Sequence, residues 1–284
     1  MAVGVAGPVQ GSAVRPEASA DVRRRARPGL GARGEPWRDW AVLAVLNHAQ
    51  LLLVALVRPG WPWLLLAALP LGLTLAIGKL TVLHDAGHRR FARREWPNVL
   101  AVQTAVPLGS GTGRSSARVH HQVPSVYPVD ESTRSSALLR LHPAAPRRPI
   151  HRYQHVYAWA LYGLAWAGEL RSQLTYLSTG VVTGADTPRG AVRLASFLRE
   201  KALCALVLLP YVLLLGAGRL AAYLLTAMTV GSVVAAVVLV VGHINVGLEP
   251  PPRVPAGRDW PAHLVRTTAS FQTGSTTVRW LTGA

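Results

Sequence analysis

The sequence has little of what staples or charges a soluble domain. It holds one cysteine, Cys204, inside an apolar segment, which excludes an internal disulfide and a cysteine-based metal site. Charged residues make up only 15% of the 284, against 50% hydrophobic ones, and the mean hydropathy is +0.26; this composition belongs to a membrane protein. Acidic residues are scarce, 13 Asp and Glu against 30 Lys and Arg, for a net charge of +17. No basic patch is interleaved with aromatics in the manner of a base-stacking surface, so no nucleic-acid partner is expected and an anionic lipid surface is. Nor does an apolar core follow the basic cluster Arg23-Arg24-Arg25-Ala26-Arg27. Pro28-Gly29 follows instead, which argues against a cleaved signal peptide or a twin-arginine signal. Residues 1–36 are read as a disordered, basic cytoplasmic tail.

What the chain does have is two long windows almost free of charge. From Trp40 to Leu83 only Arg58 and Lys79 are charged, and from Ala202 to Gly242 only Arg219. Each window predicts a hairpin of spans: about 40–57 and 61–83 around Arg58-Pro59-Gly60, then about 202–217 and 220–242 around Gly216-Ala217-Gly218-Arg219. Trp61 and Trp63 suit an interfacial aromatic belt, and Lys79 can snorkel from the opposite end. The expected fold is an all-α integral membrane protein in which residues 37–284 form one domain. It has four transmembrane helices as two hairpins and a histidine-rich cytoplasmic cap at 84–201 and 243–284. Within the cap, 98–107 is too short to span and reads as interfacial or re-entrant. Val156 to Ala167, with Tyr157, Trp159, Tyr162 and Trp166, reads as one amphipathic helix in the headgroup plane.

At the end of the first window stands His84-Asp85-Ala86-Gly87-His88. Histidines at i and i+4 share one helix face, about 5 to 6 Å apart at Cβ, so both imidazoles can reach one metal ion or two adjacent ones. The plainer alternative is a helix end whose histidines meet water and headgroups. A second pair, His120-His121, lies in the same cap, and four crossings bring His243 out on the side of His84. Five imidazoles from three separated elements suit iron, copper or zinc. His48 and His142 have no partner by sequence; His48, inside the first span, is expected to bond a neighbouring helix, and His263, in a soluble-looking tail, is read as solvated.

These residues resemble the membrane fatty acid desaturases with three histidine boxes, especially the front-end and sphingolipid-like branch. His84-Asp85-Ala86-Gly87-His88 is similar to the first box. His120-His121, with the run to Asp130, resembles the end of the second, and Gly242-His243 resembles an additional ligand after the fourth span. His151-Arg152-Tyr153-Gln154-His155, followed by Tyr162-Gly163, is similar to a stretch of the same branch. Two departures stand beside the matches. Ala117 occupies the position three before His120 where the second box has a histidine, and the third box, Gln-x-x-His-His, is missing before the chain stops at Ala284. The expectation is therefore a member truncated before its third box, with the second iron under-liganded. His151 and His155, also spaced i and i+4, are candidates for the vacant positions. Asp85 and Asp130 are read as carboxylates that orient a ligand imidazole through its other nitrogen, or else as helix-end and turn aspartates.

The resemblance implies O₂-dependent insertion of a double bond into a lipid- or carrier-linked acyl chain by two iron ions held by His84, His88, His120, His121 and His243. It also implies a plasma-membrane protein with the metal site and N-terminus on the cytoplasmic side. With no His-Pro-Gly-Gly sequence for a fused haem domain, a separate electron donor such as ferredoxin is expected. Three alternatives are weighed against this reading: a catalytically incomplete desaturase remnant or fragment, a di-iron lipid or carotenoid hydroxylase or ketolase, and a membrane zinc protease. The last needs a glutamate beside its first histidine, where this chain has the shorter Asp85.

Overall fold

The computed structural model describes residues 36–108, 126–127, 135–179, 190–243 and 274–278. All of the expected tail except Pro36, together with His120, His121, Asp130 and His263, lies outside them, and His243 is described by its backbone alone. Helix α1 runs Pro36–Val57 and α2 Trp61–Gly78, continued by a π-helical turn Lys79–Leu83 and a short α3, His84–Gly87. Then come α4 Glu95–Ala105, a 3-10 turn Pro149–Tyr153, α5 Gln154–Gly163, α6 Ala165–Thr179, α7 Gly190–Leu215 and α8 Ala217–His243. Among the described residues there is no strand.

Among the described residues, three helical stretches are long and apolar enough to cross a membrane: Pro36–Val57, Trp61–Gly87 and Ala217–Val241, of 22, 27 and 25 residues. The remaining expected span, about 202–217, falls almost entirely inside α7, a 26-residue helix that carries Arg199, Glu200 and Lys201 in its middle. Only its last 14 residues or so are apolar, roughly 21 Å at 1.5 Å per residue, and this is why it does not stand with the other three on length and composition. The outward faces of these helices carry leucines and valines such as Val45, Leu53, Leu56 and Leu213, a broad apolar surface of the kind that meets lipid.

The spans pack through small residues. Hydrocarbon offers no hydrophobic drive between helices, so close backbone approach has to supply contact energy. Gly72 on α2 and Gly231 on α8 meet this demand. A Cβ on Gly231 would stand 2.8 Å from the Gly72 carbonyl oxygen, and one on Gly72 would stand 2.7 Å from Val230 Cβ. Tyr223, fully buried, donates its hydroxyl to Ala67 O at 3.4 Å. These pairings, 67 with 223 and 72 with 231, make α2 and α8 run parallel.

Segment 98–107 is a helix docked into the bundle by polar groups. Asn47 Nδ2 donates to Ala105 O at 2.6 Å and Trp40 Nε1 to Thr104 Oγ1 at 2.8 Å. His48 bonds neighbouring helices, as its place in the first span led one to expect: Nε2 donates to Thr104 O at 2.9 Å, and Nδ1 is hydrogen-bonded with Tyr211 Oη at 2.6 Å. A carbonyl can only accept, so Nε2 carries a hydrogen. The aromatic stretch expected as a single helix is divided at Leu164 into α5 and α6. Gly163 at the break lies against Thr229, midway along α8, where a Cβ would come within 3.1 Å of Thr229 Cγ2.

Candidate metal centre

The first histidine pair owes its placement to how the second span ends. At Lys79 the backbone widens into a π-turn, an arrangement that recurs at functional sites because it shifts the helix face by part of a turn. Thr81 Oγ1 donates to Ile77 O at 2.8 Å within it. Helix α3 then terminates after His88: Arg89 adopts φ 55°, and Arg89 N and Arg90 N donate back to Ala86 O at 2.9 Å and Asp85 O at 3.0 Å. Lys79 Nζ reaches Glu169 on α6 at 3.0 and 3.2 Å and fastens the π-turn to the cap. Beyond His88, Asn98 holds the chain with three bonds, accepting from Phe91 N at 3.3 Å and donating to Ala92 O at 2.8 Å and Arg94 O at 2.7 Å.

Within this frame the rings of His84 and His88 stand 4.7 Å apart, centroid to centroid, at an interplanar angle of 64°. Asp85, largely buried, places Oδ1 3.6 Å from His84 Nδ1 and 3.2 Å from Arg90 Nη1. Such an arrangement turns the Nδ1 edge of His84 toward a carboxylate, the kind of outer pairing that orients a ligand imidazole. Two neighbouring imidazoles of this kind fit iron, copper or zinc. Among the described residues they are joined by no third histidine, cysteine or carboxylate in a metal-holding group. His120 and His121 lie outside the described residues. The backbone of His243 ends α8, and from the Gly72–Gly231 contact His84 and His243 are each about 18 Å further along parallel helices, level at the same end of the bundle.

His151 is engaged elsewhere. Both ring nitrogens of His151 face backbone: Nδ1 accepts from Arg148 N at 3.1 Å and Nε2 lies 3.1 Å from Ala137 O. His155 is exposed on α5. Gln154 between them accepts from Arg140 N at 2.7 Å and donates to Arg140 O at 3.2 Å, while Tyr157 Oη donates to Leu138 O at 2.6 Å. The Arg-Tyr-Gln-His stretch thus anchors the segment 137–142 of the cap. His142 is buried, stacked on Tyr127 at 4.9 Å, and accepts from Ala144 N at 3.1 Å. Burial, and then the nearby Arg140 charge, push its pKa below the usual imidazole range. The π-turn and the bonding of Asn98 had no signal in the sequence, because neither depends on hydrophobic period. The pairing of Asp85 with a basic residue was foreshadowed only by the Arg89-Arg90 pair next to it.

The chain is 25% identical over 239 residues to the sn-1 linoleoyl-lipid 6-desaturase of Arthrospira platensis, an alignment covering 79% of this chain and 64% of that relative. The chain therefore matches less than two thirds of the relative's length. No solved structure matches it. A model of the fatty acid desaturase family matches residues 59–284, a range that takes in the first histidine pair, the π-turn before it and the parallel α2–α8 pair, and the chain belongs to that family.

Proposed function

We propose that this protein is a membrane oxidoreductase that inserts a double bond into an acyl chain, using O₂ and two iron ions. The observation that carries the reading is the His84–His88 pair, 4.7 Å apart and backed by Asp85, at the end of a span in a desaturase-family chain. The donor chemistry fits: imidazoles held by an oriented carboxylate suit iron. His84, His88, His120, His121 and His243 would hold it, with Asp85 and Asp130 orienting ligand rings. Bound iron supplies, with O₂, the oxidant for an unactivated C–H bond, which no acid or base among the side chains can break. Overall, two hydrogens leave the acyl chain and O₂ is reduced to two waters, which requires two electrons from a separate donor such as ferredoxin and two protons from solvent.

The protein's own groups set the geometry. Asp85 fixes the His84 ring, Lys79 and Glu169 hold the π-turn against α6, and Asn98 shapes the chain after His88. The apolar flanks of the spans lead an acyl chain from the bilayer toward these rings. The relative's action on a linoleoyl-lipid favours a lipid-linked substrate over a carrier-linked one. In this reading α7 supplies the fourth crossing, with Arg199 and Lys201 snorkelling to complete its short apolar length, and the histidines and the N-terminus face the cytoplasm across the plasma membrane.

The test is the iron content of the detergent-purified chain beside His84→Ala and His121→Ala, with lipid product analysis in expressing cells. Iron bound by the wild type and lost in both variants, with a new unsaturated acyl species, supports the assignment. A hydroxylated product would move it to a hydroxylase. Absence of iron and product would move it to an incomplete desaturase, a reading that Ala117 favours.

A further inference from the structure

We propose that the hairpin turns at the end of the bundle opposite the histidine pair form a binding site for the phosphate of an anionic membrane lipid. The sequence places one arginine in each turn, Arg58 and Arg219, and no Asp or Glu between 40 and 84 or between 201 and 248. The fold brings the two turns together. Arg58 Nη2 donates to Leu214 O of the second hairpin, and Arg219 Nη2 donates to Pro59 O of the first. Arg219 also stacks its guanidinium over Trp61, 5.2 Å from the ring centroid.

These crossed contacts use only part of each guanidinium's five donors. Arg219 Nε is buried with no hydrogen-bond partner. Between the arginines opens a cavity of about 390 Å³ lined by Arg58, Leu213, Leu214, Leu215, Gly216 and Arg219. Its two sides differ in chemistry: two guanidiniums suited to a phosphate, and leucines, with Leu213 74% exposed toward lipid. The α8 N-terminus starts directly after Gly216, and its unpaired N–H groups and positive dipole end add to the attraction for an anion. The backbone shows the same commitment at Arg58, which holds φ 49° although it is not glycine. A phosphate seated between guanidiniums with acyl chains along leucines is the headgroup–chain junction of a phospholipid. Free inorganic phosphate shares the first feature and lacks the second.

The experiment is native mass spectrometry of the full chain in detergent with phosphatidylglycerol added, alongside phosphatidylcholine and inorganic phosphate. Arg58→Gln combined with Arg219→Gln is expected to weaken phosphatidylglycerol retention by about tenfold or more, as loss of charge-assisted hydrogen bonds does. Leu213→Glu leaves both arginine contacts in place while bringing a carboxylate to the cavity, and is expected to weaken retention similarly even where the double variant does not fold. Arg147→Gln, in the cap, is expected to change nothing. Unchanged retention in Leu213→Glu and in a folded double variant overturns the proposal. So does an equal loss in Arg147→Gln, which would mean nonspecific attraction to a basic chain. Displacement of phosphatidylglycerol by inorganic phosphate at comparable concentration overturns the assignment to lipid; failure to displace it supports that assignment.

Discussion

Asp85 Oδ1 lies 3.6 Å from His84 Nδ1, and the same oxygen lies 3.2 Å from Arg90 Nη1. The carboxylate thereby lies between the His84 ring and the Arg90 guanidinium. Asp85→Asn retains the shape and removes the charge. Loss of such an outer partner lowers metal affinity by roughly 10- to 100-fold, so the variant is expected to show that drop in an iron titration, with helicity by circular dichroism unchanged. An iron affinity equal to wild type would show that Asp85 serves only the helix end.

The parallel α2–α8 pair depends on glycine. In Gly231→Ala the added methyl meets the Gly72 carbonyl, a backbone atom that cannot rotate away, at 2.8 Å. The helices must separate, and the expected loss is about 1–3 kcal/mol, the range seen for overpacking. Thermal unfolding in detergent reads it as a lower midpoint. Gly218→Ala on the same helix meets nothing within 4 Å and is the matched control.

Asn47 joins three helices: Nδ2 donates to Ala105 O at 2.6 Å on α4, and Oδ1 accepts from Thr74 Oγ1 at 2.5 Å on α2. Asn47→Leu strands the Ala105 carbonyl in a buried site, at an expected cost of about 1–3 kcal/mol. Hydrogen exchange of α4 amides is expected to quicken in this variant, while exchange in α8 stays as in wild type.

His142 confers an acid sensitivity on the cap. Burial first, then Arg140, hold its folded pKa below the usual value, so the unfolded chain binds the proton more readily. Stability is therefore complete above about pH 6.5 and falls as pH drops below that value, levelling off once the folded ring also protonates. His142→Asn keeps an acceptor for the Ala144 N–H and removes the titration. Its unfolding midpoint is expected to change less than the wild type's between about pH 7.5 and about pH 5.5.

Much of the fold was legible because it is local. Apolar windows broken by Arg58-Pro59-Gly60 predict α1 and α2, and the i, i+4 spacing of His84 and His88 puts both rings on one face whatever surrounds them. The division at Leu164 was not legible, since an amphipathic aromatic stretch reads the same with or without a break. His151 carries the spacing of a ligand pair, yet the distant Ala137 carbonyl and the Arg148 amide occupy its nitrogens.

By itself, the sequence determined that the chain is helical, that it is built for a membrane, and that a histidine pair stands at the end of its second apolar run. Hydrophobic period and charge are properties of neighbours along the chain. Only the tertiary structure decided that α2 and α8 run parallel through Gly72 and Gly231, that the aromatic stretch breaks at Leu164, and that Arg58 and Arg219 exchange contacts across two turns. Those outcomes depend on which surfaces approach closely enough to exclude a side chain or share a donor, and residues 160 positions apart acquire that relation only when the helices pack.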